Sequence, residues 1–177
     1  MRTLSKIEVT QFMQKGRALS EQQGSAILDQ FERNQPQMYQ AIFGEFSDGI
    51  SEENLEMSHL FLDLCFDIIV VYQMAFGDPP INVRGDNWLM DKVTLLDAEL
   101  KSLTDEDVIN SQFKQRLRDR FVDRSLEAGL QIELLQHLDE QVRSYVNFKP
   151  VRQNAMSTCS NLLFVVVRLM DDIYNAA

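Results

Sequence analysis

The stretch that decides the fold runs from residue 51 to residue 76 and reads SEENLEMSHLFLDLCFDIIVVYQMAF. At helical spacing, apolar residues occupy almost every side of this stretch and leave one narrow polar stripe. A helix of this kind must be wrapped by other helices, so we expect residues 51–76 to form the centre of the fold. At 100° per residue the stripe spans roughly 80°, and it consists of Glu52, Glu56, His59, Asp63 and Asp67.

The composition indicates a single all-α domain that covers residues 1–177. Of the 177 residues, 45% are hydrophobic and 25% are charged, which is ordinary for a folded protein with one core. Glycine and proline are scarce, with seven and four residues, and apolar residues recur at helical spacing along most of the chain. We expect a bundle of about seven or eight helices packed around the central one.

Capping and breaking residues predict the first helices. Ser5 and Glu8 have the spacing of a capping box and begin the first helix. A second helix begins at Ser20 or Ser25 and ends before Pro36, since a proline disfavours helical geometry in the residue ahead of it. The same proline suits the first turn of a third helix.

The remaining boundaries follow from the same kinds of residue. Ser47-Asp48-Gly49 predicts a turn, so that Ser51 caps the central helix, which ends at Gly77. Residues 77–85 predict a loop. Later helices are predicted to begin at or shortly after four residues, Asp86, Thr104, Ser125 and Pro150, and the third of these helices runs to about Asn147.

Charge and cysteine usage limit the classes of partner and compartment. The net charge is −10, and residues 1–100 hold 16 acidic and 7 basic side chains. Such a protein is repelled by phosphate backbones, so we expect no nucleic-acid partner. Asp63 and Asp67 interrupt the longest apolar run, which argues against a membrane span. Cys65 and Cys159 are isolated thiols on apolar faces and, with no signal-peptide pattern, favour a cytoplasmic protein.

The polar stripe is where potential chemistry is concentrated. Three and four residues separate Glu56, His59 and Asp63, which places them within reach of a common ion. Carboxylates with one imidazole suit iron or manganese, and carboxylates alone suit magnesium. Alternatively the stripe is a solvated face, or Asp63 or Asp67 pairs with Arg168 of the last helix. The candidate metal ligands are Glu52, Glu53, Glu56, His59, Asp63 and Asp67.

One short motif resembles a di-iron site. Glu56-x-x-His59 resembles the Glu-x-x-His pair of the ferritin-like di-iron carboxylate proteins. That resemblance implies a second such pair on another helix. The other histidine, His137, follows Glu133 by four residues instead of three, and so departs from the pattern.

A second motif resembles a magnesium site. Glu52-Glu53-x-x-Glu56 resembles half of the site in the all-α nucleoside triphosphate pyrophosphohydrolases, which implies a magnesium-dependent phosphohydrolase. That family places a Glu-x-x-Asp pair on the following helix. Here the matching pair, Glu45 and Asp48, precedes the motif.

Two functions from different classes therefore stand as hypotheses. The sequence favours a non-enzymatic, cofactor-free helical domain that binds a protein partner or associates with itself as a homodimer. Eleven phenylalanines and eight methionines suit an adaptable binding groove. The alternative is a Mg²⁺- or Mn²⁺-dependent phosphohydrolase in which the acidic stripe holds the ion and the ion activates water. The basic run from Lys114 to Arg124 is interpreted as a solvated, salt-bridged face.

Overall fold

The computed structural model describes residues 1–82, 84, 85, 87–104 and 130–175, with residues 97–104 described as helix backbone only. Across these residues the structure is helical and contains no strand, which confirms the predicted all-α class. The helices are α1 (Lys6–Arg17), α2 (Glu21–Asn34), α3 (Pro36–Gln40), a π-helix (Ala41–Phe46), α4 (Ser47–Glu53), α5 (Leu55–Phe76), α6 (Trp88–Thr104), α7 (Ile132–Asn147), a 3₁₀-helix (Pro150–Ala155) and α8 (Met156–Asn175).

Helix α5 is the centre of the bundle, as its apolar composition predicts. It packs against α1, α2, α4 and α8, and its residues from Ile68 to Tyr72 are almost completely buried. Gly16 of α1 permits a close approach, because a Cβ atom there would lie 2.9 Å from Cγ1 of Val70. The core is therefore built around α5.

The same helix satisfies the criteria for a membrane span in length and composition, and among the described helices it is the one that does so. Half of its most apolar stretch is buried inside the protein. The core helix of a bundle meets the same criteria. Its packing against four neighbouring helices is the environment expected of such a core helix.

The predicted caps of the first helices are confirmed. The Ser5 side chain accepts from the backbone N–H of Glu8, whose carboxylate accepts from the Ser5 backbone in return. Ser20, rather than Ser25, begins α2 and forms an equivalent box with Gln23. Pro36 occupies the first turn of α3.

The predicted turn at Ser47–Gly49 is wrong. The chain continues from α3 through the π-helix into α4 and remains helical to Glu53. Phe46 and Ile50 are both buried, so continued helix places two large apolar side chains in the core. That burial outweighs the modest helix propensity of Asp48 and Gly49.

As a consequence, the central helix begins four residues later than predicted. Ser51 lies inside α4, and Asn54 is the N-cap of α5, where its Oδ1 accepts from the Met57 backbone N–H at 3.1 Å. Glu52 and Glu53 therefore belong to α4.

The end of α5 and the end of α7 agree with the sequence predictions, whereas Leu130 and Gln131, inside the range predicted from Ser125, are not helical and α7 begins at Ile132. Gly77 terminates α5 with a φ of 91°, a left-handed conformation that glycine adopts without steric cost. Helix α7 ends at Asn147, and Pro150 begins the 3₁₀-helix that leads into α8. Other predicted features lie outside the described residues: the caps at Asp86 and Ser125, the helix after Thr104, and the basic run from Lys114 to Arg124.

Candidate functional site

The six predicted metal ligands do not share one site. His59 and Asp63 are exposed, whereas Asp67 is only 6% exposed and contacts α1. No three His, Cys, Asp or Glu side chains among the described residues lie close enough together to hold a metal ion. These six residues, Glu52, Glu53, Glu56, His59, Asp63 and Asp67, do not all lie in the same part of the structure.

Glu56 is held by two cations from the segment that follows α7. Its Oε1 accepts from Lys149 Nζ at 2.8 Å, and its Oε2 accepts from Arg152 Nε at 2.7 Å. These hydrogen bonds lower the pKa of Glu56, and the bond from Lys149 has the larger effect. The buried Arg152 guanidinium also donates to the Tyr145 carbonyl at 2.7 Å and lies 3.5 Å from the centre of the Tyr145 ring.

Glu53 takes part in the same junction between α4, α5 and the 3₁₀-helix. Its Oε1 accepts from Thr158 Oγ1 at 2.8 Å, and its carbonyl accepts from Asn154 Nδ2 at 2.8 Å. The Asn54 amide donates to the Val151 carbonyl at 3.2 Å. The Glu56 carboxylate therefore fastens the segment around the 3₁₀-helix to the start of α5, with both oxygens accepting from protein donors, and the Glu53 carboxylate joins α4 to α8 through Oε1.

Asp67 pairs with Arg17 of α1, so the predicted pairing of Arg168 with Asp63 or Asp67 is wrong. Arg17 Nη2 lies 3.3 Å from Asp67 Oδ2. Burial raises the pKa of Asp67, and the Arg17 charge opposes that rise. Arg168 is instead close to Asp171, whose pKa its charge lowers. Helix α8 packs on the side of α5 that carries Tyr72, which is about 140° around the helix from Asp67.

An open groove of about 560 Å³ lies along the middle of α5. The helices that line it are α1, α2, the π-helix, α5 and α7. Five of its apolar side chains are only half-buried, namely Leu28, Phe43, Leu60, Leu62 and Phe66. The other lining residues are Leu64, which is buried, and the polar Arg17, Asp63, Asp67 and Gln141.

The groove lies within the most acidic part of the chain. Between Ala18 and Phe66 the sequence has nine acidic side chains and a single basic one, Arg33. Within the groove, Arg17 neutralises Asp67, whereas Asp63 is exposed and pairs with no cation of the described residues. The lining of the groove therefore combines an apolar floor with one carboxylate that is unpaired among the described residues, that of Asp63.

Sequence reasoning missed this groove because its walls come from separate helices. Leu28 and Phe43 meet α5 only after α2 and the π-helix have packed beside it. The sequence feature that pointed to the groove was Leu62 and Phe66, which make α5 apolar on a side that the bundle leaves half-open.

Comparison with protein-family models, with curated proteins and with solved structures finds no match for this chain.

Proposed function

We propose that this protein is a non-enzymatic binding module whose groove along α5 accepts a basic, amphipathic helix from a partner protein. The observation that carries the proposal is the half-buried apolar floor, which lies beside the Asp63 carboxylate, a group unpaired among the described residues. Amphipathic helices bind grooves of this kind through apolar anchors spaced three, four and seven residues apart.

The size of the groove supports a helix as the occupant. An engineered cavity of about 150 Å³ holds one benzene molecule, so about 560 Å³ has room for roughly three large side chains. Three anchors on one helix face correspond to two turns. Phe66 and Leu62 lie one turn apart on the floor and would contact successive anchors.

Charge supports a basic partner rather than a second copy of this chain. Asp63 lines the groove without a cation partner among the described residues, and the protein carries a net charge of −10, so lysine and arginine flanking the anchors are attracted. A second copy carries the same net charge of −10 and is repelled. Exposed charges of this type increase the association rate and lose strength as salt is added.

The alternative, a Mg²⁺- or Mn²⁺-dependent phosphohydrolase, receives no support from the described geometry. The oxygens of Glu56 accept from Lys149 and Arg152, and Glu53 accepts from Thr158. Glu52 lies on α4 and is exposed. An ion would first have to displace these protein donors from the carboxylates.

Binding of designed peptides tests the proposal. The first peptide is an 18-residue lysine-rich helix with leucines at positions i, i+3, i+4 and i+7, followed by fluorescence anisotropy. The second has the same composition in scrambled order, which keeps the charge and removes the apolar face. We expect saturable binding of the first peptide and at least tenfold weaker binding of the second. Equal binding of both peptides would contradict the proposal, because it would reflect charge alone.

A pair of variants locates the binding site. Leu62→Lys places a cation on the groove floor, whereas Leu55→Lys makes the same change on the same helix at a residue that is 59% exposed and does not line the groove. We expect at least a tenfold loss of affinity for Leu62→Lys and less than a twofold change for Leu55→Lys. Equal losses of affinity in the two variants would contradict the location of the site in this groove. A homodimer that the peptide dissociates, measured by sedimentation, would show that a second copy is the occupant.

A further inference from the structure

A second cleft, separate from the groove along α5, lies between α3 and the π-helix on one side and α6 on the other. Its volume is about 190 Å³. The apolar residues that line it are Ala41, Phe46, Leu89, Met90 and Val93. Three polar residues complete the lining, and they are Gln37, Gln40 and Glu45.

The π-helix is what brings its polar and apolar residues to the same cleft. Gln40 and Glu45 are five residues apart, as are Ala41 and Phe46, and all four line the cleft. In an α-helix such pairs differ by about 140° in direction. The i→i+5 hydrogen bonding of a π-helix turns them towards the same side, and π-helical segments recur at functional sites.

The polar groups of the cleft include one buried acceptor that lacks a donor. The Oε1 atom of Gln37 is buried and accepts no hydrogen bond. A buried acceptor of this kind is costly unless a ligand or water supplies the donor. Glu45 is the one charged residue among those that line the cleft, and it adds a carboxylate.

We propose that this cleft binds a small arylalkylamine, a molecule with one aromatic ring joined by a short chain to a protonated amine. The ring occupies the apolar part beside Phe46 and Leu89, where Met90 provides a polarisable sulfur. The ammonium donates to the Glu45 carboxylate and to Gln37 Oε1. A cavity of about 150 Å³ holds benzene, so about 190 Å³ fits one ring with a two-carbon chain.

A titration with 2-phenylethylamine, followed by amide chemical shifts of the ¹⁵N-labelled protein, tests the proposal. We expect saturable shifts at Phe46, Leu89 and Val93, with a submillimolar Kd. 3-Phenylpropionate, which has the same ring and the opposite charge, should bind at least tenfold more weakly. The absence of saturable shifts up to 10 mM amine, or equal binding of the two compounds, would overturn the proposal.

Three variants distinguish binding in the cleft from a general charge effect. Glu45→Gln should weaken 2-phenylethylamine binding at least tenfold, whereas Asp48→Asn should leave it unchanged, because Asp48 is an exposed acid that does not line the cleft. Val93→Phe, on the half-buried face of α6, should fill the cleft and abolish the shifts in a protein with an unchanged circular dichroism spectrum. If Glu45→Gln and Asp48→Asn weaken 2-phenylethylamine binding equally, or if the Val93→Phe protein binds the amine as tightly as the wild type, the amine does not bind in this cleft.

Discussion

The hydroxyl of Tyr72 donates a 2.7 Å hydrogen bond to Oδ1 of Asp171 in the interior, where α5 meets α8. Asp171 is only 5% exposed, and its Oδ2 atom is buried without a hydrogen-bond partner. Burial raises the pKa of this carboxyl to about 7, although the Tyr72 hydroxyl and the Arg168 charge oppose the rise. The aromatic rings of Phe76 and Tyr174 pack against Tyr72 and help to keep water away.

Asp171 is expected to make stability decrease as the pH rises. Its native pKa of about 7 lies above the ordinary value of 3.8 that applies to the unfolded chain, so the native state binds the proton more tightly. The contribution is complete below pH ~4 and is lost as the pH rises to about 7. Asp171→Asn keeps an acceptor for Tyr72 without a charge and should raise the free energy of unfolding at pH 8 by about 3 kcal/mol.

Urea unfolding at pH 4, 6 and 8 measures this effect as the difference between Asp171→Asn and the wild type. Asp172→Asn is the matched control, because its neighbouring carboxylate is partly exposed and pairs with Lys92 at 2.7 Å. We expect the control to change stability by less than ~1 kcal/mol at every pH. A difference for Asp171→Asn that does not grow between pH 4 and pH 8 would refute the prediction.

Arg152 is expected to stabilise the junction between the 3₁₀-helix and α5 far more than Lys149 does, although both bind Glu56. Arg152→Leu removes a buried guanidinium with its bonds to Glu56 and to the Tyr145 carbonyl. It should lower the free energy of unfolding by about 2–4 kcal/mol. Lys149→Ala removes an exposed surface pair and should cost less than ~1 kcal/mol. Chemical denaturation distinguishes the two, and equal effects would contradict the argument from burial.

The contacts of α1 and α2 with α5 predict opposite effects for two glycine substitutions, one on each of the two outer helices. A Cβ at Gly16 would lie 2.9 Å from Val70 Cγ1, so Gly16→Ala must displace α1 and should destabilise the protein by about 1–2 kcal/mol. A Cβ at Gly24 would lie 3.4 Å from the end of the Phe66 ring. Gly24→Ala should therefore raise the free energy of unfolding by up to ~1 kcal/mol, because alanine has a higher helix propensity than glycine. Thermal and urea unfolding provide the measurement, and the same sign for both variants would disprove the steric explanation.

The N-terminal boundary of α5 can be tested with substitutions at the observed cap, Asn54, and at the predicted one, Ser51. Asn54 accepts from the Met57 N–H, and Asn54→Ala should lower stability by about 1 kcal/mol. Ser51 lies within α4, and Ser51→Ala should change stability by less than ~0.5 kcal/mol. Urea denaturation measures the free energy of unfolding of both variants. A larger loss for Ser51→Ala than for Asn54→Ala would place the start of α5 at Ser51.

Local signals determined several helix ends correctly because each depends on a few neighbouring residues. The capping boxes at Ser5 and Ser20, the proline at Pro36 and the left-handed glycine at Gly77 act within one turn of the backbone. The turn predicted at Ser47–Gly49 failed for the opposite reason. There the burial of Phe46 and Ile50 against distant parts of the chain overrode the local preference.

By itself, the sequence determined that the protein is an all-α bundle with α5 at its centre, because an apolar helix must be covered on nearly every side. It could not determine which partner each polar residue of that helix meets. Packing alone decided that Asp67 faces Arg17 and that Glu56 faces Arg152. Packing also opened the groove beside Leu62 and Phe66. Such contacts join residues far apart in the chain, and no local periodicity encodes the order in which helices surround a core.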